Sequence, residues 1–401
     1  MNPRLCIFCG TPLTRETKPE HILQDALGGK SMSKVLDCSD CNSTFGSTID
    51  KALAEEIRPI RNMCHMPSGN GEPPPAVRHD SIAGRIVYGA GGRPRLIEKP
   101  FTLTKADGVV TIAIRAGSAE QFVASLKHAA AQLRVPVAEL WEKVKAGPTE
   151  VVERFEPLPT EPRRQSLGGE LSVRAMAKSC LLLAAKHLGN EAVRGPAFAE
   201  ARNFVTNGDL GDSGGVTLDS RPVPFSDALE ARFGPLFNLI QVATDSRGRL
   251  LAHFTLYNVI GWQIVLAEEG APAGFCTALA SNPLKPQIWS DKIAEELGVD
   301  TAWLETPNFN SGDGVRRFGR MWVVSDDLAR EREVGRIVES AFARHGIVGD
   351  VVVDNDAIKD QVFAEIHGRM AAMIVRVPYE RVISLDEIEA LLSESDVGDQ
   401  A

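Results

Sequence analysis

Cys6-Ile-Phe-Cys9-Gly10, Glu20-His21-Ile22, Gly28-Gly29 and Cys38-Ser-Asp-Cys41-Asn42 follow one another within a single 37-residue stretch. Each Cys-x-x-Cys turn offers two thiolates from one knuckle, and four thiolates suit a tetrahedral zinc ion. One such pair would say little. Two pairs predict a structural Zn2+ held by Cys6, Cys9, Cys38 and Cys41. The 28 residues between the pairs exceed the roughly 15–20 of a simple zinc ribbon. The surplus leaves room for a further element, and it contains Glu20-His21 and the two glycines.

Residues from Cys6 to Asp50 resemble the HNH, or ββα-metal, endonucleases, in the branch framed by a four-cysteine zinc knuckle. Besides the segments quoted above, the resemblance rests on Phe45-Gly46 and Ile49-Asp50, and it covers about the first 65 residues. It implies a treble-clef-like ββα-metal module that hydrolyses DNA phosphodiester bonds. It also implies roles for single residues. His21 is the general base that takes a proton from the attacking water. Glu20 and Asn42 bind a catalytic Mg2+ or Mn2+, and the products carry a 5′-phosphate and a 3′-hydroxyl.

Elementary chemistry agrees with those roles. Phosphodiester hydrolysis needs an activated water and positive charge near the phosphate. A neutral imidazole accepts a proton at physiological pH, and a hard cation held by few protein oxygens keeps positions open for phosphate and water. Adjacent strand residues point to opposite faces, so a site shared by Glu20 and His21 requires the strand to end or bend there. This chain departs from many relatives in carrying Ser33 where an asparagine braces the loop, and Glu20 where an aspartate binds the ion.

Other readings of the same residues are simpler. His21 could be a buried or capping histidine in a non-catalytic zinc-dependent module that binds nucleic acid or protein. Asn42 could cap the helix that follows Cys41. Asp50 lies eight residues beyond Asn42 on the expected helix, so both occupy roughly one face; it is either an outer-shell metal ligand or a solvated carboxylate. Lys51, Arg58 and Arg61 are candidate phosphate contacts.

The bulk of the chain bounds these expectations. At 401 residues, two or three domains are expected, and 43% hydrophobic with 24% charged residues fits a soluble globular protein. No apolar run approaches the ~20 residues of a membrane span, and the N-terminus lacks a secretory pattern, so no membrane partner and a cytoplasmic location are expected. Seven cysteines make an odd number that argues against a disulfide framework. Cys180 and Cys276 read as packed thiols. Residues 1–66 hold eight basic and eight acidic residues, so the whole net charge of −9 belongs to the remainder. A DNA partner must then be met by a local basic surface.

The expected fold class is α+β: the small zinc-stabilised module, then a larger mixed α/β region. Residues 1–66 form the module, and the breaker-rich 67–80 a linker. A mixed α/β region covers 81–156, a second linker 157–169, and a regulatory, targeting or assembly region 170–401. Strands are expected at Gly84–Tyr88 and Gly108–Ile114, and helices at Ser118–Leu133 and Pro136–Lys145. A strong helix spans Glu170–Leu188, stopped by Gly189. Three strand runs follow, Leu236–Ala243, Leu250–Tyr257 and Ile260–Leu266, the first two joined by a hairpin turn at Asp245–Gly248. Helices close the chain at Asp326–Arg344, Ala357–Ala372 and Leu385–Leu392. Asn207–Gly215, despite its Gly-Asp-Ser-Gly-Gly string, reads as a loop, and Asp354–Asp356 as a turn and helix cap. Many HNH-containing bacterial proteins serve in antiviral defence, so the remainder is expected to answer an activating ligand or protein partner, or to assemble homo-oligomers.

Overall fold

The computed structural model describes residues 4–389 except 82–83, 90–93, 98–100, 115, 117–118, 150, 156–164, 210–214, 348, 350–353 and 387. It is a mixed α+β protein, and its Cα positions fall into two compact units. One consists chiefly of Met1–Val77 with Arg164–Ala329, the other of Arg78–Gly89, Arg93–Arg163 and Arg330–Ala401. These units cut across the sequence divisions: the cysteine-framed segment shares a unit with residues 130 positions or so further along the chain.

In the first unit, the short strands β1 (Glu20–His21) and β2 (Met32–Ser33) pair antiparallel, Glu20 opposite Ser33 and His21 opposite Met32. Two helices follow, α1 (Ser39–Ser47) and α2 (Ile49–Cys64), broken at Thr48. Asp50 therefore stands on a different helix from Asn42, and the shared-face expectation fails. Cys38 caps α1 through its sulfur, which accepts from Cys41 N–H, so Asn42 is not the cap.

Helix α3 spans Glu170–Leu188 and stops at Gly189, as its sequence predicts. It is buried almost all round, from Val173 through Ala185 on most positions, as expected of a helix sandwiched in a core. On one side it packs on α2 and on another on the sheet. That sheet comprises β3 (Val216–Asp219), β4 (Asn238–Thr244), β5 (Leu250–Leu256), β6 (Ile260–Ala267), β7 (Cys276–Ser281) and β8 (Trp289–Ser290). All pairings are antiparallel, in spatial order β8-β7-β4-β5-β6-β3. The three expected runs are its centre, and the β4–β5 hairpin turns at Asp245, whose carboxylate accepts from the N–H groups of Arg247 and Arg249 at 2.9 and 2.8 Å. One hydrophobic core joins Ile22, Leu23, Phe45, Leu53 and Ile57 of the cysteine-framed segment to Met176, Leu181, Ile240 and Phe254.

The second unit has its own core around Leu126, Ala130, Leu140 and Trp141. It contains the hairpin Phe101–Ala106 with Val109–Ile114, the strand Gly84–Tyr88, and helices Ala119–Leu133, Val137–Ala146 and Asp356–Val375. Asn355 caps the last of these with its side chain. The helix expected from Asp326 begins earlier, at Ser311. Asn310 caps it by accepting from Gly312 N–H at 2.8 Å, and the glycines at 312, 314 and 319 had hidden the start. The expected Leu385–Leu392 helix runs into residues outside those described, as does most of the Asn207–Gly215 loop.

Two smaller expectations need correction. Residues 67–75 are not a free linker, because Ser68 accepts from Asn70 and Glu72 N–H and Gly69 N–H donates to Asp25 O at 2.7 Å. Cys276 is exposed, at the edge of a strand, rather than packed, whereas Cys180 is buried. No helix among the described residues is long and apolar enough to cross a membrane.

Candidate active site and zinc knuckle

The two cysteine turns meet. Gly10, at φ +79°, closes the first turn, with its N–H on Cys6 O at 3.0 Å. Ile7 N–H donates to Leu36 O at 3.0 Å and ties that turn to the approach of the second. The ligand atoms of Cys6, Cys9, Cys38 and Cys41 all lie within 4.8 Å of one another, the one such group among the described residues. Four sulfurs gathered this closely fit a tetrahedral soft-metal site, and the cluster is compatible with zinc. Without an ion the sulfurs share protons among themselves: the Cys41 thiol hydrogen-bonds the Cys6 sulfur and pulls Cys6 down to about 4, while Cys41 itself is pushed up.

Between the knuckles, β1 and β2 present the Glu-His pair. Gly28 takes φ +80° at the end of a short turn, Asp25–Leu27. A Cβ on Gly29 would lie 1.7 Å from Leu23 O, and one on Gly69 would lie 1.9 Å from Gly29 O. The loop between the strands thus needs both glycines for close backbone crossings. Asn42, in the first turn of α1, donates from Nδ2 to Pro19 O at 3.3 Å, which ties that helix to the strand beginning at Glu20. The amide's other end, Oδ1, is its acceptor.

The two residues of β1 meet different surroundings. His21 is half-buried, and burial lowers its pKa, only partly opposed by the Asp25 charge. Its imidazole is consequently neutral at neutral pH. Glu20 is buried, 6% exposed, and its Oε1 accepts from Lys178 Nζ at 2.7 Å. Burial raises the Glu20 pKa and the lysine counteracts it. Lys178, in the middle of α3, is 0% exposed and also reaches Asp50 Oδ2 at 2.5 Å. Gln24 Nε2 donates to the other Asp50 oxygen at 2.6 Å. Asp50 is therefore part of an ion-pair network rather than a solvated carboxylate.

Of the phosphate candidates, Lys51 is exposed beside an open groove that Thr44, Ser47, Thr48 and Arg174 also line. Arg58 pairs with Glu55 at 3.0 Å. Arg61 must be withdrawn: it is 5% exposed and turned inward towards Met66 O. Lys178 is the participant that sequence reading missed. The available signal was a lone lysine inside the run Val173-Arg-Ala-Met-Ala-Lys178-Ser-Cys-Leu-Leu-Leu-Ala-Ala185, a place where a charge persists only with a partner.

Glu20 and Asn42 carry oxygen donors of the type that hard divalent cations take. In the arrangement described, the cation on Glu20 is the Lys178 ammonium.

Residues 6–58 match the family of HNH endonucleases. The expected resemblance therefore stands for the cysteine-framed segment, together with its four-cysteine cluster. No curated protein and no solved structure matches the chain.

Proposed function

We propose that the protein is a metal-dependent endonuclease that hydrolyses DNA phosphodiester bonds, with His21 as general base. The observation that carries this reading is the His21 environment within the HNH-matching segment. The imidazole is kept neutral by burial on a strand that Asn42 ties to α1, between knuckles whose four sulfurs converge. A neutral imidazole beside the scissile phosphate removes the proton from the attacking water. Zinc bound by the four cysteines holds α1 against the strand and takes no part in the reaction. A Mg2+ or Mn2+ held by Glu20 and Asn42 would supply positive charge to the phosphate when bound. Lys51 contacts the DNA backbone from the rim. The residues beyond the HNH segment target or restrain cleavage, in keeping with an effector of antiviral defence.

Nicking of supercoiled plasmid by the purified full chain with Mg2+ or Mn2+ tests this reading. His21→Ala is expected to lower the rate by about 10²–10⁴-fold, the usual worth of a general base, and EDTA to abolish it. Undiminished nicking by His21→Ala would sink the assignment. The ion pair that already neutralises Glu20 favours a second reading, a zinc-dependent module that binds nucleic acid or protein without cutting. On that reading DNA is retained by both wild type and His21→Ala and cleaved by neither.

A further inference from the structure

We propose that Lys178 is a built-in competitor for the divalent cation at Glu20, so that the nuclease site loads metal only as the Lys178 ammonium gives up that carboxylate. This rests on Glu20 being a metal ligand and assigns the regulation of that same site to a residue outside the HNH segment.

Placing a lysine at full burial is unfavourable in itself, since desolvation opposes its charge. Here two carboxylates offset that cost, Glu20 at 2.7 Å and Asp50 at 2.5 Å. Around it the Phe45 ring lies 5.5 Å from Nζ, Gln24 satisfies the far oxygen of Asp50, and the buried Asp37 carboxyl, which feels both Glu20 and Lys178, is pushed up to about 8 by burial and by the Glu20 charge. The ammonium is therefore the resident cation of a pocket that contains two negative charges. A carboxylate oxygen accepting from an ammonium is a weakened metal ligand, and two cations on one buried carboxylate repel each other. Divalent loading must displace Lys178 or remain weak.

The position of Lys178 is set by the helix that carries it. Helix α3 is fixed at its N-terminal end by Glu56, which takes hydrogen bonds from Gly168 N–H and Ser172 Oγ. The same helix packs on the six-stranded sheet. Anything that shifts α3 relative to β1 and α2 withdraws the ammonium from Glu20.

The test is Mn2+ binding to the zinc-loaded full chain, read as loss of the free Mn2+ electron paramagnetic resonance signal. Lys178→Met removes the charge and keeps the length. It is expected to bind Mn2+ at least tenfold more tightly than wild type, at a site lost in Lys178→Met/Glu20→Gln, while Lys178→Arg shows no gain. If Lys178→Met leaves its two carboxylates too poorly matched to fold, Lys178→Met/Asp50→Asn removes one of them and is expected to show the same gain. An affinity equal to or weaker than wild type in a folded variant, with binding still lost on Glu20→Gln, would overturn the competition alone. Mn2+ binding indifferent to Glu20 in every variant would overturn the competition and the ligand assignment together.

Discussion

Cys38 does two things at once. Its sulfur caps α1 by accepting from Cys41 N–H at 3.4 Å, and it lies 3.5 Å from Cys9 Sγ in the four-sulfur cluster. Cys38→Ala therefore removes one of the four clustered sulfurs and a helix cap together. Elemental analysis is expected to find about one zinc per wild-type chain and essentially none in Cys38→Ala, since a closed structural site tolerates little ligand loss. At this scale the sequence was most legible where spacing itself encodes chemistry, in the four cysteines. The Glu-His pair was legible as a pair, but its surroundings were not. Lys178 lies 158 positions from Glu20 and 128 from Asp50, and no local pattern reports a partner at that distance. Arg61 failed for the opposite reason: a charged residue on a helix was assigned to the surface, although its face is the one that α2 buries.

Elements were read well where burial and turn chemistry agreed. Helix α3 and the β4–β5 hairpin came out close to their observed bounds because an apolar run ended in glycine and an Asp-Ser-Arg-Gly turn joined two largely apolar runs. The break between α1 and α2 escaped because Thr48 has no breaker side chain, yet takes φ −119°, ψ −93°. The central sheet also carries a polar group that periodicity does not announce. His253, on β5, is fully buried, bonded through Nδ1 to Thr255 Oγ1 at 3.1 Å and placed 3.6 Å from Asp219. Burial lowers its pKa despite that carboxylate. A histidine whose folded pKa lies below its unfolded value of about 6.5 contributes fully above that value and loses its contribution as pH falls below it. The wild-type urea midpoint should thus fall from pH 7 to pH 5 more steeply than that of His253→Gln. Asp219, whose own pKa is lowered, acts in a separate window below about 3.8 and does not obscure the comparison. Equal slopes would mean that folding leaves the His253 pKa unshifted, and a shallower wild-type fall would mean that His253 is protonated in the folded protein.

Over the whole molecule, the sequence predicted a mixed α+β chain, and that much held. The grouping of segments did not follow from sequence, because breaker-rich stretches mark irregular backbone without saying whether it is strapped down. Residues 67–75 are strapped, and the core continues from Ile22 and Ile57 into Met176 and Leu181. Excised as residues 1–66, the HNH segment would expose that face and leave Glu20 and Asp50 without the cation they share. Such a fragment, loaded with zinc, is expected to show no cooperative thermal transition by circular dichroism. A sharp transition would mark it as an autonomous domain.

The crossing of Gly29 with Leu23 O and of Gly69 with Gly29 O has a consequence for heredity. At both positions even an added methyl group meets backbone that cannot swing aside. Chains descended from a common ancestor and built on the same crossing would be held to glycine there whatever their nucleases cut, or whether they cut at all. In a lineage that had lost His21 to drift, those two glycines would outlast it as the mark of shared descent.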